Sequence, residues 1–585
     1  MTAPINALFE RGFSLHQQGN LDQAKSIYEE VLSQAPTHAE AKHLLGVCHH
    51  QSGENPAAAK HIESALTLDP GNVAFLYNLG VVYQELGHDD GAAKCYFAVL
   101  ESQPANLAAL VNLGNLHFKR GVFSEALHLY RQALRLEPGS ADHHLRVARS
   151  LRNIGNSVDA LGHLGTASLL APEDEAVQSE VLFTSQYVPG INLPDLSRRH
   201  QEWWNRFSSG PEPIAPPELA RKAAPPYRVG FLSPDLGNHP VGIFLAPLLE
   251  RLRKNKEVEV FCFNDRKTDD EFSRRLRDAS DHWHDCAGMG DEALLELLHR
   301  EQLHVLIELA GHTENNRLPL LATRVAPAQA TWAGYVGTTG SEMIDYLITD
   351  PFHTPDGTED FFSETLLRFP HGYIGYEPPS YAPEVGALPF LENGYPTFGC
   401  LNNPSKLSHS TIQLWSEILR RLPESRLILK YKGMDDRAVR ERVLGLFRID
   451  GVSPDRVEMI GQTNHVEHLS LLNRIDIALD PTPYSGGLST CEAMWMGVPV
   501  VTCPGDTFAS RHSLSHLTNA GFTDMITDSF PAYVEKACTL ASDADALATI
   551  RAGMRERMSN SPLCDLDGFA EDFVSALEAI VGHAG

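Results

Sequence analysis

Long apolar runs are missing from this sequence. No stretch of its 585 residues approaches the roughly 18 apolar residues that a membrane-spanning helix requires. The first residues, MTAPINALFERGF, also lack the basic and apolar segments of a secretion signal. These absences predict a protein with no membrane partner and no secretory route.

Paired cysteines and excess basic charge are missing too. The nine cysteines are scattered, their number is odd, and no two have C-x-x-C spacing. We therefore expect neither a disulfide framework nor a zinc knuckle, and we expect a reducing, cytoplasmic location. The formal net charge of −27 argues against general binding to nucleic acid or anionic membranes, although it allows a local basic pocket for a phosphate.

Two common nucleotide motifs are also absent. The sequence has no G-x-x-x-x-G-K-S/T and no G-x-G-x-x-G after a strand, which disfavours a P-loop ATPase and a dinucleotide dehydrogenase. The potential metal ligands of residues 282–286 (HWHDC) are too close in sequence to surround one ion, so we expect no metal site.

What the sequence does contain, over its first 172 residues, is a repeat of 34. Three small or turn-forming positions keep this spacing: Pro36, Pro70, Pro104, Pro138 and Pro172; Gly19, Gly53, Gly87, Gly121 and Gly155; Ala24, Ala58, Ala92, Ala126 and Ala160. The alanines let two helices approach, the glycines turn the chain between them, and the prolines end each unit. This pattern is typical of tetratricopeptide repeats, and it predicts an α-solenoid of five repeats in residues 1–172.

Solenoids of this kind form grooves that bind polypeptides. We therefore expect the repeats to engage a protein or peptide acceptor, with a scaffold or oligomerisation arm as the alternative. Residues 173–226 follow as a helical, aromatic bridge and a linker, because six prolines lie between 211 and 226.

Two series of alternating strands and helices occupy the rest of the chain. Their predicted strands are apolar and short: 227–232, 258–263, 304–309 and 345–349 in residues 227–390, then 397–401, 426–430, 456–460, 475–479 and 498–502 in residues 391–585. This alternation predicts two doubly wound α/β domains, which bind ligands at the carboxyl ends of their strands.

Residues 480–501 combine a strand end, two glycines and a helix start. Gly486 and Gly487 allow close approach of the backbone to an anion, and the hydroxyls of Ser489 and Thr490 can bond phosphate oxygens. Glu492 lies near the first helical turn, where it can accept ribose hydroxyls. A glycine turn with ordinary Ser/Thr capping explains the same residues equally well.

Six segments, in this order, resemble the catalytic region of the protein O-GlcNAc transferase family: GFLSPDLGNHPVG (230–242), LIELAGHTENNR (306–317), RVAPAQATWAGYVGTTG (324–340), DYLITD (345–350), FGCLNNPSKL (398–407) and DPTPYSGGLSTCEAMWMGVPVVTCPG (480–505). The resemblance covers nearly the whole chain. It implies a GT-B fold and an inverting, metal-independent transfer of a sugar to Ser or Thr of proteins. The nucleotide sugar is then a co-substrate, and no cofactor is implied.

The resemblance also implies roles for individual residues. Lys406 matches the family's phosphate-binding lysine, and His239 matches an active-site histidine once proposed as the general base. The remaining residues are implied in donor binding: His312, Thr313, Thr338, Asn403, His468, Gly486, Gly487, Leu488, Ser489, Thr490 and Glu492. We expect His312 and Thr313 to face the cleft and Thr338 to lie beside the sugar.

This sequence departs from the animal enzymes around the nucleotide base. His465 and Leu471 stand where those enzymes have a lysine and an arginine, and Gly487 replaces a ligand histidine. These segments look closer to the plant SPINDLY-like branch, which is associated with GDP-fucose. Family membership as a whole favours UDP-GlcNAc, with protein O-fucosylation as the alternative.

Three other functions stay open at this stage. A GT-B enzyme acting on a non-protein glycan would not need the repeats, and a scaffold with degenerate lobes would not need Lys406, His239 and Glu492. A metal-dependent GT-A enzyme would need D-x-D after a mid-chain strand. The two D-x-D sequences, at 543–545 and 565–567, lie in the C-terminal tail instead.

Overall fold

The computed structural model describes residues 3–208 and 225–583, so most of the predicted proline-rich linker, residues 211–224, lies outside the described residues. The chain divides into two compact units between Ser150 and Leu151. That division falls within the fifth repeat, whereas the sequence places the end of the repeats at residue 172. The domain boundaries drawn from the sequence stay predictions.

The first unit consists of paired helices in the predicted register. Their bounds are α1 Ala3–Gln17, α2 Leu21–Gln34, α3 Ala39–Gln51, α4 Asn55–Leu66, α5 Val73–Glu85, α6 Asp89–Ser102, α7 Leu107–Lys119, α8 Phe123–Leu136 and α9 Ala141–Asn153, which crosses the division. Gly19 and its equivalents have φ between 73° and 80° in this unit, a conformation that favours glycine. The regular spacing of the glycines is thus explained by the turn within each pair.

Small residues allow the two helices of each repeat to pack closely. Ala24, Ala58, Ala92 and Ala126 are completely buried. A Cβ on Gly114 would lie 2.5 Å from the ring of Tyr130, and one on Gly80 would lie 2.7 Å from the ring of Tyr96. The aromatic ring of one helix therefore occupies the space that the missing side chain of the other leaves.

Three further helices follow α9 in the second unit: α10 Ser157–Leu170, α11 Glu175–Ser185 and α12 Leu193–Phe207. Trp203, Trp204 and Phe207 of α12 form a buried cluster with Leu182 and Leu318. The aromatic residues of the predicted bridge therefore fasten α12 to the α/β region that follows.

The N-terminal lobe contains a seven-stranded parallel sheet with the strand order β3-β2-β1-β4-β5-β6-β7. Its elements are β1 Tyr227–Ser233, α13 Pro240–Leu252, β2 Val258–Asn264, α14 Glu271–Ala279, β3 His282–Asp285, α15 Asp291–Arg300, β4 Val305–Glu308, β5 Ala328–Thr331, β6 Tyr346–Thr349, β7 Thr365–Arg368 and the short α16 Pro389–Asn393. The four strands predicted in this lobe are confirmed within two residues at either end. Strands β3, β5 and β7 were not predicted, because polar residues interrupt β3 and β5, and β7 has only two apolar residues between Thr365 and Arg368.

The C-terminal lobe contains a five-stranded parallel sheet with the order β10-β9-β8-β11-β12. Its elements are β8 Thr397–Cys400, α17 His409–Arg421, β9 Arg426–Lys430, α18 Arg437–Ile449, β10 Val457–Ile460, α19 His465–Leu471, β11 Ile477–Leu479, α20 Leu488–Trp495, β12 Val500–Val501, α21 His512–Asn519, α22 Phe530–Ala541, α23 Ala544–Ser559 and α24 Leu566–His583. All five predicted strands are present, although β12 is shorter than predicted.

The two lobes share one hydrophobic core. Phe573 of the C-terminal helix α24 packs against Phe231 of β1 and Trp332 of the N-terminal lobe. The predicted fold class, a tetratricopeptide solenoid followed by two doubly wound domains of the GT-B type, is confirmed. Within the described residues, none of the helices has the length and apolar content needed to span a bilayer.

The contact between Gly114 and Tyr130 gives a prediction about the repeats. Gly114→Ala places a Cβ against the buried ring, so we expect it to destabilise α7 and α8 by roughly 1–3 kcal/mol. Hydrogen–deuterium exchange of the full chain should then become faster in residues 107–136. Gly139→Ala is the control, because a Cβ there meets nothing within 4 Å. Equal protection in both variants would contradict the packing role of Gly114.

Candidate active site

Lys406 lies just beyond the carboxyl end of β8, at the end of a short 3-10 helix, Pro404–Lys406. Asn403 caps this turn, since its side-chain oxygen accepts hydrogen bonds from the backbone and hydroxyl of Ser405. The Lys406 ammonium donates to the carbonyl of Ser485 at 2.7 Å and lies 4.2 Å from the ring centre of Tyr484. Asn403 thus has a structural role, the presentation of Lys406, and its role in donor binding stays a prediction.

The charge of Lys406 is easily lost. Burial lowers the pKa of its ammonium to about 8, although the carboxylate of Asp480 opposes the shift. Burial in turn raises the pKa of Asp480 to about 6, against hydrogen bonds from Thr502 and Gly486. Lys406 is therefore a cation whose charge an incoming anion would stabilise.

The start of α20 lies beside Lys406. Gly486 donates its backbone N–H to Asp480 at 2.7 Å. None of the hydrogen bonds found among the described residues uses the amides of Gly487, Leu488 or Ser489. Space is open around Gly487, where an added Cβ would meet nothing within 4 Å. These amides form the anion-binding end that a helix N-terminus provides.

The hydroxyls of Ser489 and Thr490, which were predicted to bond phosphate oxygens, bond other protein groups in this structure. Ser489 donates its hydroxyl to the side-chain oxygen of Asn402 at 2.9 Å, while Thr490 is bonded to the carbonyl of Gly486 and the hydroxyl of Ser513. A hydroxyl has only one proton to donate. In this arrangement Ser489 and Thr490 hold the loop in place, and the backbone amides carry the donor groups.

Glu492 is buried on α20 between two histidines. Its carboxylate accepts hydrogen bonds from His465 at 2.7 Å and from His468 at 3.1 Å. Burial alone would raise the pKa of Glu492, but the hydrogen bonds and electrostatic interactions with the two histidines outweigh it and lower the pKa to about 2. Glu492 is therefore ionised, and each oxygen retains a lone pair for a further donor such as a ribose hydroxyl.

Two more side chains fix the histidines beside Glu492. The ammonium of Lys430 donates to Nδ1 of His468 at 2.7 Å, and Nδ1 of His465 is 2.7 Å from the hydroxyl of Tyr381. Because Nδ1 of His468 accepts, Nε2 carries the proton that points at Glu492. The chain Lys430–His468–Glu492–His465–Tyr381 is a continuous hydrogen-bond network.

His239 caps α13 at the other side of the site. Its Nδ1 accepts weakly from the backbone of Val241 at 3.4 Å and lies 3.7 Å from the carboxylate of Asp235. Burial lowers the pKa of His239, so the ring is neutral near pH 7 and, with Nδ1 accepting, carries its proton on Nε2. As placed, His239 offers a hydrogen-bond donor at Nε2.

His239 and Thr313 line a cavity of about 860 Å³. Helices α9 and α11 contribute Arg152, Glu180 and Phe183 to its wall. The cavity is polar and large enough for several residues of an extended peptide. It lies at the carboxyl ends of β1, β2 and β4, where α/β sheets bind their ligands.

His312 and Thr338 do not lie where the sequence predicts. The His312 ring is 1% exposed, and its nitrogens are bonded to the Ser179 hydroxyl at 3.2 Å and the Thr339 carbonyl at 2.7 Å. The hydroxyl of Thr338 donates to the buried carboxylate of Glu364 at 2.6 Å. Both side chains form hydrogen bonds within the N-terminal lobe or at its junction with α11. Neither therefore faces the cleft.

Several site residues were missed by the sequence analysis. Tyr484 and Asp480 belong to the segment 480–505. Their closeness in sequence to Gly486 and Gly487 could have identified them as site residues. Lys430 is the last residue of a predicted strand, β9. A charged residue directly after an apolar run could have identified it as a site residue. His512, discussed below, gave no signal because it lies outside every motif.

A family profile described as Glycosyl transferase family 41 matches residues 213–377 and 393–573, and tetratricopeptide profiles match residues 15–64, 50–116 and 107–140. The solved structure of a mutant O-GlcNAc transferase from Thermobaculum terrenum is 30% identical, with a TM-score of 0.82 over 88% of this chain and 98% of that one.

Curated plant and animal proteins are similar as well. The tomato protein named probable UDP-N-acetylglucosamine–peptide N-acetylglucosaminyltransferase SPINDLY is 33% identical over 69% of this chain, and the Arabidopsis protein named SEC is 29% identical over 58%. These matches span 44% and 35% of the respective relatives, less than half of their length. With a family profile that covers more than half of its residues, the chain belongs to glycosyl transferase family 41.

Proposed function

We propose that this enzyme transfers N-acetylglucosamine from UDP-GlcNAc to Ser or Thr hydroxyls of proteins, with inversion and without a metal ion. The observation that carries the proposal is the pairing of the Lys406 ammonium with the Ser485 carbonyl, next to the amides of Gly487–Ser489. A diphosphate leaving group develops negative charge, and a lysine with helix amides supplies what stabilises it.

Glu492 supports a nucleotide sugar over a simple phosphate ester as the donor. It stands one helical turn after the amides, and its ionised carboxylate is an acceptor for ribose hydroxyls. The histidines that hold it, His465 and His468, then lie toward the nucleotide base. Phosphate and ribose would thus be bound by successive turns of the same short helix.

The cavity beside His239 supports a peptide as the acceptor. Its walls carry charges of both signs, including Arg152, Glu180 and Lys267, which suits the backbone and polar side chains of a peptide. His239 orients the acceptor hydroxyl through Nε2 in the arrangement described, and a shift of its proton would allow it to act as a base. The repeats engage longer protein acceptors, since grooves of this kind bind polypeptides.

Protein O-fucosylation from GDP-fucose is the second candidate. The specific observation in its favour is the base pocket, where His465 bonds both Glu492 and Tyr381. The plant relatives named SPINDLY, which match this chain at 33–35% identity, are named as N-acetylglucosaminyltransferases. UDP-GlcNAc therefore remains the preferred donor.

Transfer itself is the first test. The purified chain, incubated with a host lysate or peptide library and either donor in the presence of EDTA, should modify Ser and Thr residues with N-acetylglucosamine, as read by mass spectrometry. Modification from GDP-fucose alone would select the second candidate. Absence of transfer from both donors would overturn the proposed function.

Lys406→Met should lower kcat by about a hundred- to a thousandfold, because a group that stabilises the leaving diphosphate is removed. Steady-state kinetics with a saturating donor measure this effect. The matched control is Lys256→Met, since Lys256 is an exposed lysine away from the site. An equal kcat for both variants would contradict the role of Lys406.

The pH profile sharpens this test. The pKa of Lys406 is about 8 in the free enzyme, so its charge is lost as the pH rises through 8 and kcat/KM should fall above that pH. A bound diphosphate favours the charged form, which moves the decline of kcat to a higher pH. Lys406→Met should lack this alkaline decline in kcat/KM.

A truncated chain tests the role of the repeats. Removal of residues 1–137 deletes α1–α8 and keeps the second compact unit, with its cavity, complete. We expect kcat/KM to fall for folded protein acceptors and to stay the same for short peptides, because only the longer acceptors reach the repeats. If protein acceptors are modified equally well, the repeats do not engage them.

A further inference from the structure

A buried chain of histidines joins the two lobes close to Lys406. His353, which follows β6, places Nδ1 2.9 Å from the carboxylate of Asp350 and Nε2 2.9 Å from Nδ1 of His512, the first residue of α21. The hydroxyl of Tyr373 is 3.2 Å from the same nitrogen of His512. Asp350, His353 and His512 form a linear relay that no step of the proposed mechanism uses.

Asp350 is the anionic end of this relay. Its carboxylate accepts hydrogen bonds from the backbones of Phe352, His353 and Tyr373 and from the hydroxyl of Ser515. Burial alone would raise the pKa of Asp350, but the charge of His353 and these donors outweigh it and hold the pKa well below the ordinary value. Asp350 is therefore ionised although it is fully buried.

A buried carboxylate requires a counter-ion. Of the described residues, His353 alone forms an ion pair with Asp350. The Tyr373 hydroxyl has a proton to donate to Nδ1 of His512, so we assign that nitrogen as an acceptor. His353 is accordingly assigned as the donor, from Nδ1 to Asp350 and from Nε2 to His512. His512 then accepts at Nδ1, and its own proton lies on Nε2.

His512 itself is neutral. Burial lowers the pKa of its ring well below the ordinary value, and electrostatic interactions with His353, His516 and Lys406 lower it further. No hydrogen bond found among the described residues ends on Nε2 of His512. The relay therefore leaves one N–H donor unused at its end.

His512 lies beside the candidate diphosphate site. The backbone N–H of His512 donates to the hydroxyl of Ser485, whose carbonyl accepts from Lys406. The His512 ring centre is 5.8 Å from that of Tyr484, over which Lys406 lies. His512 and Lys406 thus approach the same loop from two directions.

We propose that His512 donates a hydrogen bond from Nε2 to the leaving diphosphate, and that Asp350 and His353 are positioning residues that fix the required tautomer. The proposal rests on the proposed function, because it adds a group to the same site. His512 keeps its proton throughout. The bond between the sugar and the phosphate oxygen breaks, and the developing charge on that diphosphate strengthens the hydrogen bond.

Binding of UDP and GDP to the full chain, measured by isothermal titration calorimetry, tests this proposal without a sugar or an acceptor. His512→Phe keeps an aromatic ring and removes the donor, so we expect about ten- to a hundredfold weaker binding of the diphosphate that the wild type prefers. His512→Gln, which places an N–H near the position of Nε2, should recover part of the affinity.

The matched control is His516→Phe. His516 is another buried histidine of α21, and both its nitrogens lack partners among the described residues. We expect its nucleotide affinity to equal that of the wild type. Equal affinities for wild type, His512→Phe and His516→Phe would overturn the role of His512 while leaving the proposed function in place. A wild type that binds neither diphosphate would overturn both.

Asp350→Asn tests the positioning residues, and it remains informative if His512→Phe does not fold. It should weaken diphosphate binding and lower kcat, because a neutral amide in place of the carboxylate no longer fixes the hydrogen-bond direction of His353. In a His512→Phe background the same change should have no further effect on binding. Additive losses, or an Asp350→Asn protein that binds as the wild type does, would show that the relay does not act through His512.

Discussion

The position of Ser485 is the constraint on which the rest of the site depends. Its carbonyl accepts from Lys406, its hydroxyl donates to the carbonyl of Ala509, and the same hydroxyl accepts from the backbone of His512. Ser485 is 2% exposed, so none of these groups can turn to water instead. Ser485 thereby connects three parts of the site: the segment after β8, the start of α20 and the start of α21.

This constraint places the carboxylate of Asp480 and the ammonium of Lys406 together in a partly buried site. Asp480 must stay in place, because it accepts from the backbone of Gly486 and so holds the loop before α20. Its negative charge would repel a diphosphate. Burial raises the pKa of Asp480 to about 6 and lowers that of Lys406 to about 8, so both groups are close to losing their charge. An anion that binds Lys406 tips this balance toward the ammonium.

The sequence predicted the framework better than the side chains. Apolar runs located the strands that are buried on both faces, while β3 and β5 escaped because polar residues such as His282 and Gln329 interrupt them. The rule that ligands bind at strand ends points to the region of the C-terminal lobe where Lys406 and Glu492 lie, and their roles in donor binding stay predictions. The same rule misplaces His312, since a residue at the right edge can still turn its ring inward to Ser179 and Thr339.

Long-range pairs account for the rest of what could not be predicted. His353 and His512 are 159 positions apart, and neither belongs to a repeated or spaced motif. Their meeting depends on how the lobes pack, which is decided by the shared core around α24 and not by local pattern. By contrast, the glycines of the repeats could be explained from the sequence, because the turn that requires them is formed by adjacent residues.

The geometry of α20 separates the reaction from the choice of donor. The amides of Gly487–Ser489 make no hydrogen bond among the described residues, and Glu492 lies about 6 Å farther along the helix axis. In the proposed function this one helix therefore sets the spacing of diphosphate and ribose. The groups beyond Glu492 come from other segments: Tyr381, Lys430 and the histidines of α19. Substitutions there can change which base is accepted without moving the amides or Lys406. In the proposed function, the transfer chemistry and the choice of nucleotide are thus carried by different residues.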